Sequence, residues 1–268
     1  GLDWDEGPDV GGAYSPYRQS ERLSIYQEIA KRLESFERAY PCYCTKEELE
    51  AERSRQISAG KPPRYSGRCR HLTKAERLNM EKEGRRPSLR FATPRGMRLD
   101  FEDAIHGRRV YDLDDLSDFI IMRPDGWPTY IFAAAVDDHL MNITHIIRGD
   151  EHLDNAARQI LIYDALGWER PIFAHIPTIL DAEKRKLSKR FGAVSIAYYR
   201  SLGYLPEALV AYLATLSWSI EGSDAVPTLY DLAKRFSLDQ ISSSPPIHDE
   251  ERLRYWGKLA IKKADLTW

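Results

Sequence analysis

The sequence predicts an α/β protein that ends in an all-helical part, and three observations carry that prediction. Residues 143–180 read as strand, helix and strand at the spacing of a parallel crossover unit. Beyond Ser195 the apolar pattern is wholly helical. Between them and the N-terminus, residues 42–71 are short of periodic apolar side chains and carry all three cysteines, so something besides a hydrophobic core must order them.

Taken in chain order, apolar residues at Leu23, Tyr26, Ile29, Ala30, Leu33 and Phe36 recur at helical spacing within residues 19–38, with Ser20 as the expected N-cap. The stretch 42–71 contains a Gly60-Lys61-Pro62-Pro63 breaker and a Ser66-Gly67 turn. Residues 89–92 and 109–111, separated by Pro94 and Gly107, predict short antiparallel strands. Residues 118–123 predict a buried strand, 124–128 a turn and 129–141 a helix. Residues 143–148 predict a strand closed by Gly149, and Asp150 is the expected N-cap of a helix that Gly167 stops. A further strand is predicted over 171–180, then helices over 206–218, 229–236 and 250–263.

The length of 268 residues suggests about two domains. The longest purely apolar run, residues 130–136, is far short of the roughly 20 that span a bilayer, so no membrane span is expected. A net charge of −2 gives no overall nucleic-acid signature, and any such partner must be met by a local patch. Three cysteines are an odd, sparse set, which argues for an intracellular protein with free or metal-bound thiols. The chain opens on Gly1-Leu2-Asp3-Trp4 with neither a basic nor an apolar leader, and reads as the middle of a larger protein.

Two charged clusters converge where parallel strands end, the edge at which open α/β sheets bind ligands. The first is Arg148-Gly149-Asp150-Glu151 at a helix N-terminus, and the second is Lys186-Leu187-Ser188-Lys189-Arg190 on the loop after the next strand. A lysine-rich loop beside a helix N-terminus suits a polyphosphate, although a basic run by itself is more often a solvated surface. Cys42-Tyr43-Cys44 and Cys69-Arg70-His71 form a CxC and CxH pair suited to tetrahedral zinc. Arg53, Arg55, Lys61, Arg64, Arg68 and Arg70 follow one another with no intervening acidic residue, a stripe suited to phosphates. Asp137-Asp138-His139 reads as a hydrogen-bonded corner rather than a metal set.

The order of several motifs is more specific than any one of them. Lys-Leu-Ser-Lys-Arg at 186–190 resembles the KMSKS loop of class I aminoacyl-tRNA synthetases. WDEGPDVGG at 4–12, PYRQSERL at 16–23, PTY at 128–130, VDDHLM at 136–141, THIIRGDEHL at 144–153 and GYLPEAL at 203–209 resemble glutamyl-tRNA synthetases in order and spacing. The resemblance implies the second half of a Rossmann-like parallel sheet, an α+β zinc-bearing insertion and an all-helical stem-contact domain. Its divisions are 1–14 for the end of the first Rossmann half, 15–111 for the insertion, 112–191 for the second half and 192–268 for the helical domain. The implied chain is truncated at both ends.

The resemblance further implies ATP-dependent activation of L-glutamate and its transfer to tRNA(Glu), by a cytoplasmic monomer with Mg2+ accompanying ATP. Tyr130 and Arg148 are expected at the glutamate, and Glu151, His152, Lys186, Leu187 and Lys189 at the ATP. Lys186 and Lys189 are the expected catalytic lysines, and Arg53, Arg55, Lys61, Arg64 and Arg68 the expected tRNA contacts. Zinc is expected on Cys42, Cys44 and Cys69, with His71 or Tyr65 as the fourth ligand. Some family members carry asparagine one helical turn after the pocket tyrosine; Ala134 stands there in this chain, so one hydrogen bond to the amino acid is expected to be missing.

Two competing readings are the shorter paralogue that attaches glutamate to queuosine in tRNA and a non-catalytic tRNA-binding paralogue. The second has a motive in the sequence, which contains no His-Ile-Gly-His-like motif to close over ATP. The 268 residues alone are therefore expected to support no appreciable adenylate formation. Glutamate-dependent pyrophosphate exchange with the isolated chain checks this, and robust exchange would refute it.

Overall fold

The computed structural model describes residues 2–187, 195–218 and 226–264. Its first helix, α1 (Leu23–Ser35), buries Tyr26, Ile29, Ala30 and Leu33 along one face. Ser20 does not cap it: a 3-10 turn over Gln19–Glu21 intervenes and Arg22 occupies the N-cap position. Arg22 is instead committed to α4 (Tyr130–Leu140), where its Nε donates to Asp137 Oδ1 at 2.7 Å. The Tyr26 hydroxyl and Gln19 Nε2 donate to the same carboxylate. Removing one partner from a buried arginine–carboxylate pair costs about 3–5 kcal/mol, so this cluster locks α1 to α4.

Two sheets follow. The first has the order β1 (Ala39–Cys42), β2 (Ser88–Phe91), β5 (Phe119–Met122) and is antiparallel throughout. The second has the order β4 (Gly107–Asp112), β3 (Arg98–Asp103), β7 (Ile172–Ile176), β6 (His145–Gly149). Within it β3 and β4 form an antiparallel hairpin, while β7 runs parallel to both β3 and β6. The two strands predicted near residues 90 and 110 therefore exist but belong to different sheets. Between β6 and β7 runs α5 (Leu153–Leu166), ended by Gly167 at φ 68°, a left-handed cap for which glycine has no side-chain penalty. Asp150 is not its cap; it lies in a 3-10 turn and accepts a hydrogen bond from the Thr178 hydroxyl.

One apolar core runs through both sheets. It joins Tyr26 and Leu33 of α1, Phe91, Leu99 and Phe101 of the strands, Phe132 and Val136 of α4, Ile160 and Tyr163 of α5, and Phe173 of β7. Strands from both sides of residue 111 meet in each sheet: β3 and β4 share one with β6 and β7, and β5 shares the other with β1 and β2. The boundary expected at 191 lies outside the described residues.

Residues 42–71 hold a helix that the apolar pattern did not announce. This is α2 (Lys46–Ser58), started by a capping box in which Thr45 and Glu48 satisfy each other's backbone N–H groups. An equivalent box at Thr73 and Glu76 starts α3 (Lys74–Lys82). Neither helix buries a residue fully, so capping, helped in α2 by the ion pairs of Glu48, defines them rather than burial.

The helical part comprises α6 (Ile196–Ser201), α7 (Pro206–Ser217), α8 (Leu229–Arg235) and α9 (Glu250–Lys263). Its own core joins Ala208, Leu209, Ala211 and Tyr212 to Leu253, Trp256 and Ala260. It is stitched to the segment after β7 by backbone bonds in both directions at Leu180, which donates to the Pro246 carbonyl and accepts from the His248 N–H.

Candidate active site and thiol centre

The carboxyl ends of β6 and β7 place Arg148 beside His175, paired in register across the parallel ladder. Arg148 Nε donates to His175 Nε2 at 3.2 Å, and Nη2 donates to Gln159 Oε1 at 2.6 Å. Its remaining nitrogen, Nη1, faces the hydroxyl of Tyr130 at 3.5 Å. Tyr130 is the first residue of α4 and is 51% exposed, so the arginine is gripped from inside and open toward a solvent-reached aromatic. Among the described residues Arg148 forms no ion pair with its near neighbour Asp150, and Tyr130 stands outside the core. Ala134 is half-buried one turn along α4.

His175 is held in turn by Asp103, whose Oδ2 lies 2.6 Å from Nδ1. Asp103 Oδ1 accepts from the backbone N–H groups of Ile105, His106 and His175. Burial works to raise the Asp103 pKa, yet these hydrogen bonds outweigh it and hold the carboxyl at about 2. Sequence reasoning missed Asp103, Gln159 and His175. A signal existed for two of them: a histidine inside the apolar run Ile-Phe-Ala-His-Ile and a glutamine on the apolar face of α5 both demand a buried partner.

At the same edge, Glu151 and His152 lie in the 3-10 turn between β6 and α5. The His152 ring sits 5.4 Å from that of Tyr130, and its Nδ1 accepts from Asn155 Nδ2. A Cβ at Gly149 would meet the Glu151 carboxylate, the exposed end of a flexible side chain that would have to move aside. Residues 179–187 fold back on themselves through bonds from Leu187 N to Ile179 O and from Asp181 N to Arg185 O. That return brings Lys186 Nζ to 3.4 Å from Glu151, as an exposed pair. Leu187 closes the hairpin, and Lys189 lies outside the described residues.

At the other sheet, where β1 ends, Cys42, Cys44 and Cys69 bring their sulfurs within 4.8 Å of one another. The Tyr65 hydroxyl approaches Cys42 Sγ at 3.4 Å and Cys44 Sγ at 4.0 Å. His71 does not join them: it ends a turn over residues 68–71 and is exposed. The Cys44 and Cys69 thiols, with Tyr65 and Arg90 adding to them, favour thiolate at Cys42 and pull its pKa far down. Arg90 donates from Nε to Cys42 Sγ at 3.2 Å while its guanidinium stacks 3.8 Å above the Tyr65 ring. A set of three sulfurs with a fourth oxygen donor fits the tetrahedral preference of a borderline-soft cation.

The basic stripe is less uniform than its spacing suggests. Arg53 and Arg55, on the second half of α2, and Lys61 are exposed and form no ion pair among the described residues. Arg64, however, reaches Asp115 at 2.7 Å, Arg68 lies 3.7 Å from Glu48, and Arg70 bonds to the buried Asp118. For these three arginines the fold supplies the carboxylates that the local sequence lacks.

The geometry has relatives. Residues 1–255 match the family model described as class I tRNA synthetases (E and Q), catalytic domain. The chain is 47% identical over 266 residues to a glutamate–tRNA ligase of Desulforamulus reducens, covering 99% of this chain and 55% of that one. It is 48% identical over 269 residues to the glutamate–tRNA ligase of Listeria innocua, again covering 55% of the relative. A crystal structure of a glutamate–tRNA ligase from Elizabethkingia meningosepticum, in complex with its amino acid, superposes with a TM-score of 0.88 at 33% identity, over 97% of this chain and 57% of that one. The chain belongs to the class I glutamyl- and glutaminyl-tRNA synthetase family and carries catalytic-domain sequence. It spans about half the length of these curated relatives. No described helix is long and apolar enough to cross a membrane.

One carboxylate near the site is unlike the others. Burial pushes Asp138 up to about 6, the neighbouring Asp137 adding to the rise and Arg148 opposing it. A raised carboxyl pKa favours the protonated native state, so its contribution to stability is full below about pH 4 and is lost as pH rises through 6. Asp138→Asn should therefore gain in melting temperature relative to the parent between about pH 4 and pH 7, as read by thermal unfolding across that range. A difference independent of pH would contradict it.

Proposed function

We propose that this chain is the part of a glutamate–tRNA ligase that activates glutamate and engages the acceptor end of tRNA(Glu). The observation that carries this reading is the Arg148 guanidinium, braced at Nε and Nη2 and open toward Tyr130. A planar, permanently charged fork suits a carboxylate side chain, which it can hold through two parallel hydrogen bonds. With that end fixed, the α-carboxylate attacks the α-phosphorus of ATP, forming glutamyl-adenylate and releasing pyrophosphate. The terminal ribose hydroxyl of the tRNA then attacks the activated carbonyl, forming the ester and releasing AMP.

The rest of the edge fits the same scheme. Lys186 is exposed and its pairing with Glu151 is of a kind that contributes little, so it is ready to exchange that partner for phosphate oxygens. Lys189 belongs to the same proposed loop, and Glu151, His152 and Leu187 border the nucleotide. Mg2+ bound with ATP supplies further neutralisation of the phosphate charge. Residues 112–191 act in this reading as the second half of a Rossmann-like nucleotide-binding fold. Residues 15–111 are an acceptor-binding insertion and 192–268 a stem-contact domain. Arg53, Arg55 and Lys61 are the phosphate contacts best placed to bind, with Arg64 and Arg68 available on giving up the exposed Asp115 and the half-buried Glu48. As an enzyme of protein synthesis it works in the cytoplasm.

Zinc on Cys42, Cys44 and Cys69, with Tyr65 as the fourth ligand, orders the insertion in this proposal. Arg90 balances part of the charge of the thiolate set. Metal analysis of the purified protein should find about one zinc per chain, lowered by Cys69→Ser and retained in His71→Ala. Absence of stoichiometric zinc would count against the centre, and loss in His71→Ala would restore histidine as the ligand.

In the full-length ligase, Arg148→Lys should lower kcat/KM for glutamate by about a hundredfold or more, because a point charge cannot reproduce the fork. The KM for ATP should stay within about threefold of the parent. Glutamate-dependent pyrophosphate exchange measures both. No exchange by the full-length parent would sink the functional reading.

A further inference from the structure

Arg148 is not free to choose its orientation. Its Nε always carries a hydrogen, so the nitrogen it meets at 3.2 Å, His175 Nε2, must offer a lone pair. The single proton of a neutral imidazole is then on Nδ1, which donates to Asp103 Oδ2 at 2.6 Å. Both Asp103 and His175 have side chains with no solvent exposure. An acceptor at Nε2 therefore requires the proton to stay on Nδ1, and the ionised carboxylate of Asp103 is the acceptor that holds it there. The backbone N–H groups of Ile105, His106 and His175 fix that carboxylate in turn.

We propose that Asp103 and His175 are positioning residues for amino-acid recognition: the pair fixes the Nδ1–H tautomer and so aims the Arg148 fork at the substrate's side-chain carboxylate. The proposal rests on the reading of Arg148 as the carboxylate-binding residue. Neither residue touches the substrate. They act through the arginine, and the chain from the Asp103 carboxylate through the imidazole to the guanidinium crosses three adjacent strands, β3, β7 and β6, at one end of the sheet.

The isosteric variant Asp103→Asn isolates the effect. Its amide keeps an oxygen for the three backbone N–H groups but presents an NH2 to Nδ1, which drives the imidazole proton to Nε2. Two N–H donors then face each other at Arg148. Two histidine variants divide the roles further. His175→Gln retains an oxygen acceptor in reach of Arg148 but loses the bond to Asp103, whereas His175→Asn retains a donor to Asp103 and loses the acceptor.

The experiment is glutamate-dependent pyrophosphate exchange by the full-length ligase and these three variants, with thermal unfolding and 15N-histidine NMR of the His175 ring. Expected is a rise in the glutamate KM of about ten- to a hundredfold in Asp103→Asn and His175→Asn. The KM for ATP should be unchanged, with a substantially smaller rise for glutamate in His175→Gln. The NMR spectra should show Nδ1–H in the parent and Nε2–H in Asp103→Asn. A merely structural pair would give the opposite order, with His175→Gln the worse variant and all substrates affected alongside melting temperature. That order, or Nε2–H in the parent, overturns the proposal, and the parent spectrum decides it even where a variant fails to fold. If the parent shows no exchange with glutamate, the functional reading fails and the proposal with it, while an Nδ1–H ring would preserve the tautomer assignment alone. Exchange in the parent with an unchanged glutamate KM in Asp103→Asn overturns the proposal but leaves the function standing.

Discussion

A carboxylate buried without solvent is tolerated only when its oxygens are fully hydrogen-bonded, and Asp103 meets that condition at the seam of the second sheet. The parallel register between β3 and β7 consists of the one pair Asp103–Phe173, reinforced by the Ala104 N–H donating to the Phe173 carbonyl. The antiparallel hairpin of β3 and β4 is thus joined to the β6–α5–β7 unit at the residue that also anchors His175. Were Asp103 replaced by an apolar residue of similar size, three backbone N–H groups and the imidazole Nδ1–H would lose their acceptor, each loss costing about 1–3 kcal/mol where the donor is buried. Sheet continuity and the orientation of Arg148 depend on the same buried charge.

That dependence explains which parts of the molecule were legible in the sequence. The β6–α5–β7 unit, the stop at Gly167 and the three longer C-terminal helices were readable because each is written in local periodicity and capping chemistry. Helices α2 and α3 were not, although their capping boxes were present as Thr45-to-Glu48 and Thr73-to-Glu76. Reading apolar spacing alone passes over helices that bury almost nothing. The sheet assignments of β3, β4 and β5 were hidden for another reason: strand pairing is a long-range choice, and the chain alternates between two sheets. Ser20 and Asp150 look like caps in isolation, but the Gln19–Glu21 turn and the Thr178 hydroxyl respectively change their surroundings.

The candidate site divides along the same line. Arg148, Tyr130, Glu151 and Lys186 lie within recognisable ordered motifs. Asp103, Gln159 and His175 do not, because what makes them functional is a partner from another element rather than a neighbour in sequence. The basic stripe errs in the opposite direction. Its arginines look unbalanced between residues 53 and 70, yet Asp115 and Asp118 reach Arg64 and Arg70 from the segment before β5. Asp118 also accepts from the hydroxyl of Tyr40, on the strand that leads into Cys42. A buried charge thereby ties the thiol centre to the main core.

The two ends of the edge are built to different standards of rigidity, and the proposed chemistry explains why. Telling a carboxylate side chain from a neutral amide of the same shape needs a charge whose position does not adapt, since a cation free to swing would accept either. Arg148 is accordingly braced by groups that are themselves buried. Polyphosphate presents a different problem, because its charge distribution shifts as the bond to the leaving pyrophosphate breaks. An exposed lysine in a weak pair with Glu151, carried on a hairpin stitched to the helical part at Leu180, can follow that shift. Burial fixes the group that must discriminate, and exposure leaves free the group that must respond.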